Sequence, residues 1–377
     1  MLVDSKDAIP APSTDLTLRQ LIRTTIGGNR LRLRISNAFG RTPLIISNVS
    51  IARAVSASSS RIDEATVRVV TFGGERAISI PAGAEYVSDP IAFIARPLTT
   101  LAVSIDLAEL PKLETGHPGS RATSYFVSGD QVSAPELKGA ATADRWYFIS
   151  GLDVDPTQPA AAIAILGDSI TDGHGVVSNT DTRWPDYLAN RLQAAAATRS
   201  IGVLNLGIGG NRMIEDGLGP NAAARLGRDV LARSGVKYLI ILEGVNDLGV
   251  LTRDAPTTAE AHRALVQHML AAYAQIIAQA HDRGIKVIAG TIMPYGASGY
   301  YHPTAVNEAD RAAINSWLRA PGHADAVIDF DAIMRDPAHP ERLRKDLDSG
   351  DGLHPSPAGY RLMGYSVPLS LFTQKGR

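Results

Sequence analysis

The sequence predicts two domains: an antiparallel β-sandwich over residues 1–152, then an α/β domain with a parallel sheet over residues 160–377. Three observations carry this. A chain of 377 residues exceeds what one hydrophobic core usually serves. Its first half alternates apolar and polar residues at period two, whereas its second half alternates short apolar runs with helical stretches.

In the first half, "LRLRISN" (31–37) sets Leu31, Leu33 and Ile35 on one face and Arg32, Arg34 and Ser36 on the other. "LAVSIDL" (101–107) repeats the pattern, and "TVRVVTF" (66–72) and "AISIPAG" (77–83) resemble it. Such alternation predicts one buried and one wet face. Gly27-Gly28-Asn29 and Gly73-Gly74 supply turns at sandwich-like intervals. Arg32 and Arg34 read most simply as the wet face, the alternative being a basic stripe that meets the second domain or an acidic glycan. Asp153 to Pro159 reads as the link between the halves.

In the second half, apolar runs at 161–166, 202–206, 237–242, 285–292 and 325–330 predict strands. The clearest helix spans 259–282, with Leu265, Met269, Ala272, Ile276 and Ile277 at helical spacing and Gly284 as its stop. Strand and helix in repetition argue for a parallel sheet covered on both faces.

Composition narrows the function. A net charge of −1 gives no reason to expect a nucleic acid or an anionic membrane as partner. The absence of cysteine excludes disulfides and thiolate zinc sites. No apolar run approaches a membrane span, and the first residues lack the pattern of a signal peptide. The compartment stays open: secreted or periplasmic if a signal peptide has been removed, cytoplasmic otherwise.

Ligands bind open parallel sheets beyond the carboxyl ends of the strands. There the sequence places Ser169 in "GDSITDG", Gly210 in "GIGGNR", Asn246 in "EGVNDLG", and Asp351 and His354 in "DSGDGLHP". Ser needs an adjacent base to attack near neutrality; His354 suits that role, and Asp351, three residues earlier, can orient its ring. Ser356-Pro357 reads as an N-cap and first helical residue that anchor this turn. The backbone N–H groups of Ser169 and Gly210 and the Asn246 amide are suitable oxyanion donors.

These four blocks resemble those of the GDSL, or SGNH, hydrolase superfamily over residues 160–372. The resemblance implies a flavodoxin-like three-layer α/β/α domain and a carboxylic-ester hydrolase. It further implies Ser169, Asp351 and His354 as triad, with Ser169, Gly210 and Asn246 as oxyanion hole and no cofactor or metal. The β-rich first half, jelly-roll-like, is similar to an accessory domain that precedes this module in some bacterial esterases. Two positions depart from the family pattern: Ile170 replaces the Leu of the acronym, and Glu243 stands where Gly is common. Glu243 is open to pairing with Arg212 or to binding substrate.

Competing readings are weaker. Ser169 alone could cap a helix, but not beside three further blocks. "GIGGNR" lacks the Lys–Ser/Thr of a phosphate loop. His262 and His268, six apart on a helix, share no face for a metal. Asp168 and Asp172 read as loop hydrogen-bonders, while His174, Arg212 and Glu243 are candidate substrate-pocket residues. The sequence therefore predicts hydrolysis of short acyl esters, acetylated carbohydrate above all. The alternatives are a lipase or aryl esterase, and a non-enzymatic glycan-binding protein with a vestigial hydrolase domain.

Overall fold

A computed structural model describes residues 1–10 and 14–373 of the chain; the few expected domain residues outside these ranges lie outside the described residues. The chain divides into two compact units, Met1–Pro159 with Val177–Asp181, and Ala160–Val176 with Thr182–Arg377. No helix among the described residues is long and apolar enough to cross a membrane.

The first unit is built from antiparallel sheets. In one, strands run in the order Ala141–Ala143, Ser124–Ser128, Thr14–Arg23, Thr100–Glu109, Leu44–Ala54 and Ile62–Val69, with Ile78–Ile80 also on Leu44–Ala54. In the other, Gly28–Ser36 pairs with Ile149–Asp155, Glu85–Val87 and Ile91–Ala95. Leu16, Leu18 and Ile105 of the first sheet share one core with Leu31, Leu33, Ile35 and Phe93 of the second.

Two details differ from the sequence reading. Residues 101–107 are buried on both faces, not one. The cause is Arg19, whose guanidinium is fully buried and donates to Ser104 Oγ (2.7 Å) and to the carbonyls of Ser60 (2.6 Å) and Ala134 (2.8 Å). These bonds draw neighbouring chain over the second face, where Ala102 packs with Leu21, Tyr125 and Leu137. The expected link also begins too early. Asp153–Asp155 end a strand in register with Arg32–Arg30, so Arg34 pairs with Asp153 (2.8 Å) and Glu85 (3.3 Å), and Arg30 pairs with Asp155. Cross-strand carboxylates thus neutralise Arg34 of the expected stripe, while Arg32 donates to the Ser88 carbonyl (3.3 Å).

The second unit holds a five-stranded parallel sheet: Ala161–Gly167, Ile201–Gly207, Val236–Leu242, Lys286–Gly290 and Ala326–Ile328. Numbered along the chain, the strands lie in the order 2-1-3-4-5, the flavodoxin-like arrangement with a switch point beside the first strand. The near-continuous apolar runs follow from burial on both faces. Helices Ala259–His281 and Ala305–Arg319 pack together, as do Trp184–Ala194 and Pro357–Ser366. In the second pair, Arg191 donates to the carbonyls of Gly364 (2.8 Å) and Val367 (2.7 Å) at the C-terminal end of the helix Pro357–Ser366.

Three strand ends are level, since Gly167 pairs with Gly207 on one side and Leu242 on the other. One side chain ties them. Arg225, on the helix Ala222–Leu226, is 1% exposed. It donates to the carbonyls of Leu206 (2.7 Å) and Gly167 (3.1 Å), to Asn211 Oδ1 (2.7 Å) and to Glu243 Oε1 (3.4 Å). Around it lie the buried carboxyls of Asp168, Glu243 and Asp247. Burial, reinforced by the neighbouring acids, pushes Asp168 up to about 7 and Glu243 well above its ordinary value. Glu243 Oε2 is buried without a hydrogen-bond partner.

Arg225→Leu strands two carbonyls and Glu243 in the interior, and is expected to cost about 3–5 kcal/mol of stability. Urea unfolding followed by tryptophan fluorescence should show the earlier midpoint; an unchanged one contradicts the assignment. The raised carboxyls also set a pH slope. Their folded values exceed their unfolded ones, so their contribution to stability is fully present below about pH 4 and is lost as pH rises towards the folded values, about 7 for Asp168. Glu243→Gln removes one contributor, so its thermal midpoint should gain on the wild type between about pH 5 and about pH 8. A constant difference across that range contradicts this.

Candidate active site

Ser169 follows the first strand of the parallel sheet by two residues and opens the short helix Ser169–Asp172. Asp168 is the N-cap, its carboxylate accepting from Ile170 N–H at 2.9 Å. Because the aspartate caps this helix, the Ser169 hydroxyl is left for another partner. The first N–H groups of a helix lack helical acceptors, so a negative charge placed there is favoured.

That partner comes from the loop after the last strand. Ser356 caps the helix Pro357–Ser366, accepting from Gly359 N–H (3.2 Å) and donating to the Asp346 carbonyl (3.0 Å). Asp348 accepts from the N–H groups of Gly350 (2.8 Å) and Gly352 (3.1 Å), which closes the turn. Within it, Asp351 Oδ1 accepts from the backbone of Leu353 (2.9 Å) and His354 (2.8 Å), while Oδ2 lies 2.6 Å from His354 Nδ1. His354 Nε2 lies 2.9 Å from Ser169 Oγ.

The electrostatics fix the tautomer. Partial burial acts to raise Asp351, but the two backbone N–H groups and the imidazole outweigh it and hold the carboxyl down at about 2. An ionised Asp351 is acceptor-only, so Nδ1 carries the proton and the Nε2 lone pair accepts from the serine hydroxyl. A polarised hydroxyl, a base and an orienting anion in one hydrogen-bonded line can deliver an alkoxide to an electrophilic carbon.

The second and third strand ends contribute the remaining blocks. Gly210 has φ +69°, a left-handed turn that glycine adopts without a Cβ penalty. Asn211 is fully buried, donates to the Pro220 carbonyl (2.7 Å) and accepts from Arg225. Asn246, in the helix Val245–Arg253, donates from Nδ2 to the Asn211 carbonyl (2.7 Å) and accepts at Oδ1 from the Tyr301 hydroxyl (2.6 Å). The next residue, Asp247, accepts from the N–H groups of Met213 (2.8 Å) and Ile214 (3.3 Å), fixing the loop that follows Gly210.

The three expected pocket residues separate. The His174 ring stacks on that of His354, 4.0 Å between centroids, and its backbone carbonyl accepts from Tyr360 (2.8 Å). Arg212 folds back on its own loop, bound to Glu215 (2.7 Å) and the Asp216 carbonyl. Glu243 does not line a pocket: it is 1% exposed and its cation is Arg225, not Arg212. Trp184, just before Pro185, is fully buried and packs edge-on to Phe330. His262 pairs with Asp310 (2.5 Å) between two helices, and His268 is exposed. His174, Asp351 and His354 are the one trio among the described residues whose ligand atoms lie within 4.8 Å of each other. Two stacked rings direct their in-plane lone pairs in parallel, however, a poor geometry for converging on an ion.

Sequence reading missed Arg225, Asn211 and Tyr301. For Arg225 a signal existed: it shares a helical face with Ala222 and Leu226, both fully buried. A cation at such a position needs buried acceptors. Tyr301 had none beyond the aromatic composition of its loop.

No curated protein matches the chain. Solved structures that resemble it include a protein of the G-D-S-L family from Desulfitobacterium hafniense (22% identity, TM-score 0.41, 55% of this chain and 97% of that one). A GDSL-like lipase from Bacteroides thetaiotaomicron also resembles it (18%, 0.40, 55% and 88%). A third is an acetylxylan esterase from Geobacillus stearothermophilus (20%, 0.41, 55% and 91%). The profile of the GDSL-like Lipase/Acylhydrolase family matches residues 165–362, more than half of the chain and a span that holds Ser169, Gly210, Asn246, Asp351 and His354. The chain therefore belongs to the GDSL-like lipase/acylhydrolase family, and is a carboxylic-ester hydrolase.

Proposed function

We propose that Ser169, His354 and Asp351 act as a nucleophile, general base and orienting carboxylate in an acyl-enzyme mechanism on short acyl esters. The observation that carries this is the unbroken line from Ser169 Oγ through His354 to Asp351, at 2.9 and 2.6 Å. His354 Nε2 takes the hydroxyl proton as Ser169 Oγ bonds to the ester carbon, and the carbonyl π pair moves onto oxygen. The oxyanion is held by the N–H groups of Ser169 and Gly210 and by the Asn246 amide. Collapse of the tetrahedral species breaks the ester C–O bond, and the leaving oxygen takes the proton back from His354. Water then repeats the sequence, releasing the carboxylic acid and restoring Ser169. No step calls on a metal or organic cofactor.

The substrate class we infer is small acyl groups, acetyl first, on carbohydrate or simple alcohols. Support comes from the surfaces beside the blocks. Leu218 lies against Gly210, where a Cβ would meet its side chain at 2.9 Å, which crowds the region next to the oxyanion donors. Tyr300, next to Tyr301, is 59% exposed with the Arg253 guanidinium over its ring at 5.6 Å, a surface both aromatic and polar that suits a polar alcohol such as a sugar.

Two measurements check this reading. Ser169→Ala should lower kcat for p-nitrophenyl acetate by at least about 10⁴-fold and abolish labelling by a fluorophosphonate. Retained turnover or retained labelling contradicts the role of Ser169. Across p-nitrophenyl esters of rising chain length, kcat/KM should fall sharply beyond butyrate, and acetate should be released from acetylated xylan. A maximum at octanoate or longer would favour the lipase reading.

A further inference from the structure

The orientation of the Asn246 amide is determined by two neighbours. Its Oδ1 accepts from the Tyr301 hydroxyl at 2.6 Å, and its Nδ2 donates to the Asn211 carbonyl at 2.7 Å. A flip would set amide oxygen against carbonyl oxygen, so one arrangement is strongly preferred. With Oδ1 and one N–H engaged, the second N–H of Nδ2 is the group left to meet a ligand.

Tyr301 is itself built in. It is 4% exposed, its ring packs edge-on to those of Tyr295 and Tyr300, and its backbone N–H donates to Ser298 Oγ at 3.3 Å. Gly249, three residues after Asn246 on the same helix, provides the space: a Cβ there would meet the Tyr301 ring at 2.3 Å. Burial raises the phenol above its ordinary value, which keeps it a donor across the working pH range.

We propose that Tyr301 is a positioning residue for ester hydrolysis, holding the Asn246 amide so that its free N–H is pre-aimed at the developing oxyanion. This rests on the role given to Asn246 under Proposed function. Pre-aimed donors need no reorganisation at the moment of reaction, which is where such groups gain their effect. The hydroxyl donates to Asn246 Oδ1, and its effect on the reaction runs through that amide.

The test is a double-mutant cycle on the full chain, with kcat and KM for p-nitrophenyl acetate in wild type, Tyr301→Phe, Asn246→Ala and the double variant. Asn246→Ala should lower kcat about 10²–10³-fold, and Tyr301→Phe about tenfold with KM little changed. In the Asn246→Ala background Tyr301→Phe should have almost no further effect. Inhibition by phenylboronic acid, whose tetrahedral adduct places an oxygen before the same donors, should weaken in Tyr301→Phe by the factor lost in kcat. An equal loss in both backgrounds, or none in the wild-type background, overturns the proposal while leaving Asn246 as a donor. Undiminished kcat in Asn246→Ala overturns the oxyanion role and this inference together; turnover in Ser169→Ala instead removes the nucleophile assignment.

Discussion

The site depends on one buried cation. Arg225 reaches the carbonyls at the ends of the first two parallel strands, the Asn211 side chain after the second, and Glu243 after the third. A parallel sheet gives level strand ends, but it does not dictate how the chain leaves them. The guanidinium does so because its five donors lie in a rigid plane, and carbonyls meeting several of them are fixed relative to each other. Asn211 passes the constraint on, since its side chain is held by Arg225 while its carbonyl holds Asn246. The position of the proposed oxyanion donor thus traces back through two buried hydrogen bonds to a residue with no part in the chemistry.

The same arrangement gathers three acidic side chains behind the end of the first parallel strand. Asp168, Glu243 and Asp247 share the surroundings of Arg225, and burial raises all three. Asp351, by contrast, is half-exposed, hydrogen-bonded three times over and held down. The carboxyls therefore divide by environment. Burial shifts those behind the site upward, and they serve architecture, whereas the one beside His354 is held down and can stabilise an imidazolium. Distance from solvent, more than residue type, separates the two behaviours.

Much of this was legible in the sequence. Apolar runs bounded by polar loops marked all five parallel strands, because burial on both faces leaves a run with no alternation. Asp351 and His354 sit three apart before a Ser-Pro helix start, a spacing short enough that local geometry sets their contact. Longer connections were not legible. Glu243 lies 18 residues from Arg225 along the chain, and Tyr301 lies 55 from Asn246; neither pairing follows from local pattern. Alternation likewise misread residues 101–107, because buried Arg19 turns what would be a wet face into an interior one. Acidic residues and proline mark Asp153 to Pro159 as a link, whereas the strand runs to Asp155 because Arg30 and Arg34 across the ladder pair with its acids.

The central claim is that the ends of three neighbouring strands present their donors to one tetrahedral carbon attached to Ser169. A crystal structure of the enzyme phosphonylated by a fluorophosphonate tests it most directly. The account predicts phosphorus bonded to Ser169 Oγ, with one phosphonyl oxygen about 2.7–3.1 Å from the N–H groups of Ser169 and Gly210 and from Asn246 Nδ2. A phosphonyl oxygen turned to solvent, or an Asn246 amide facing away from it, would contradict the account.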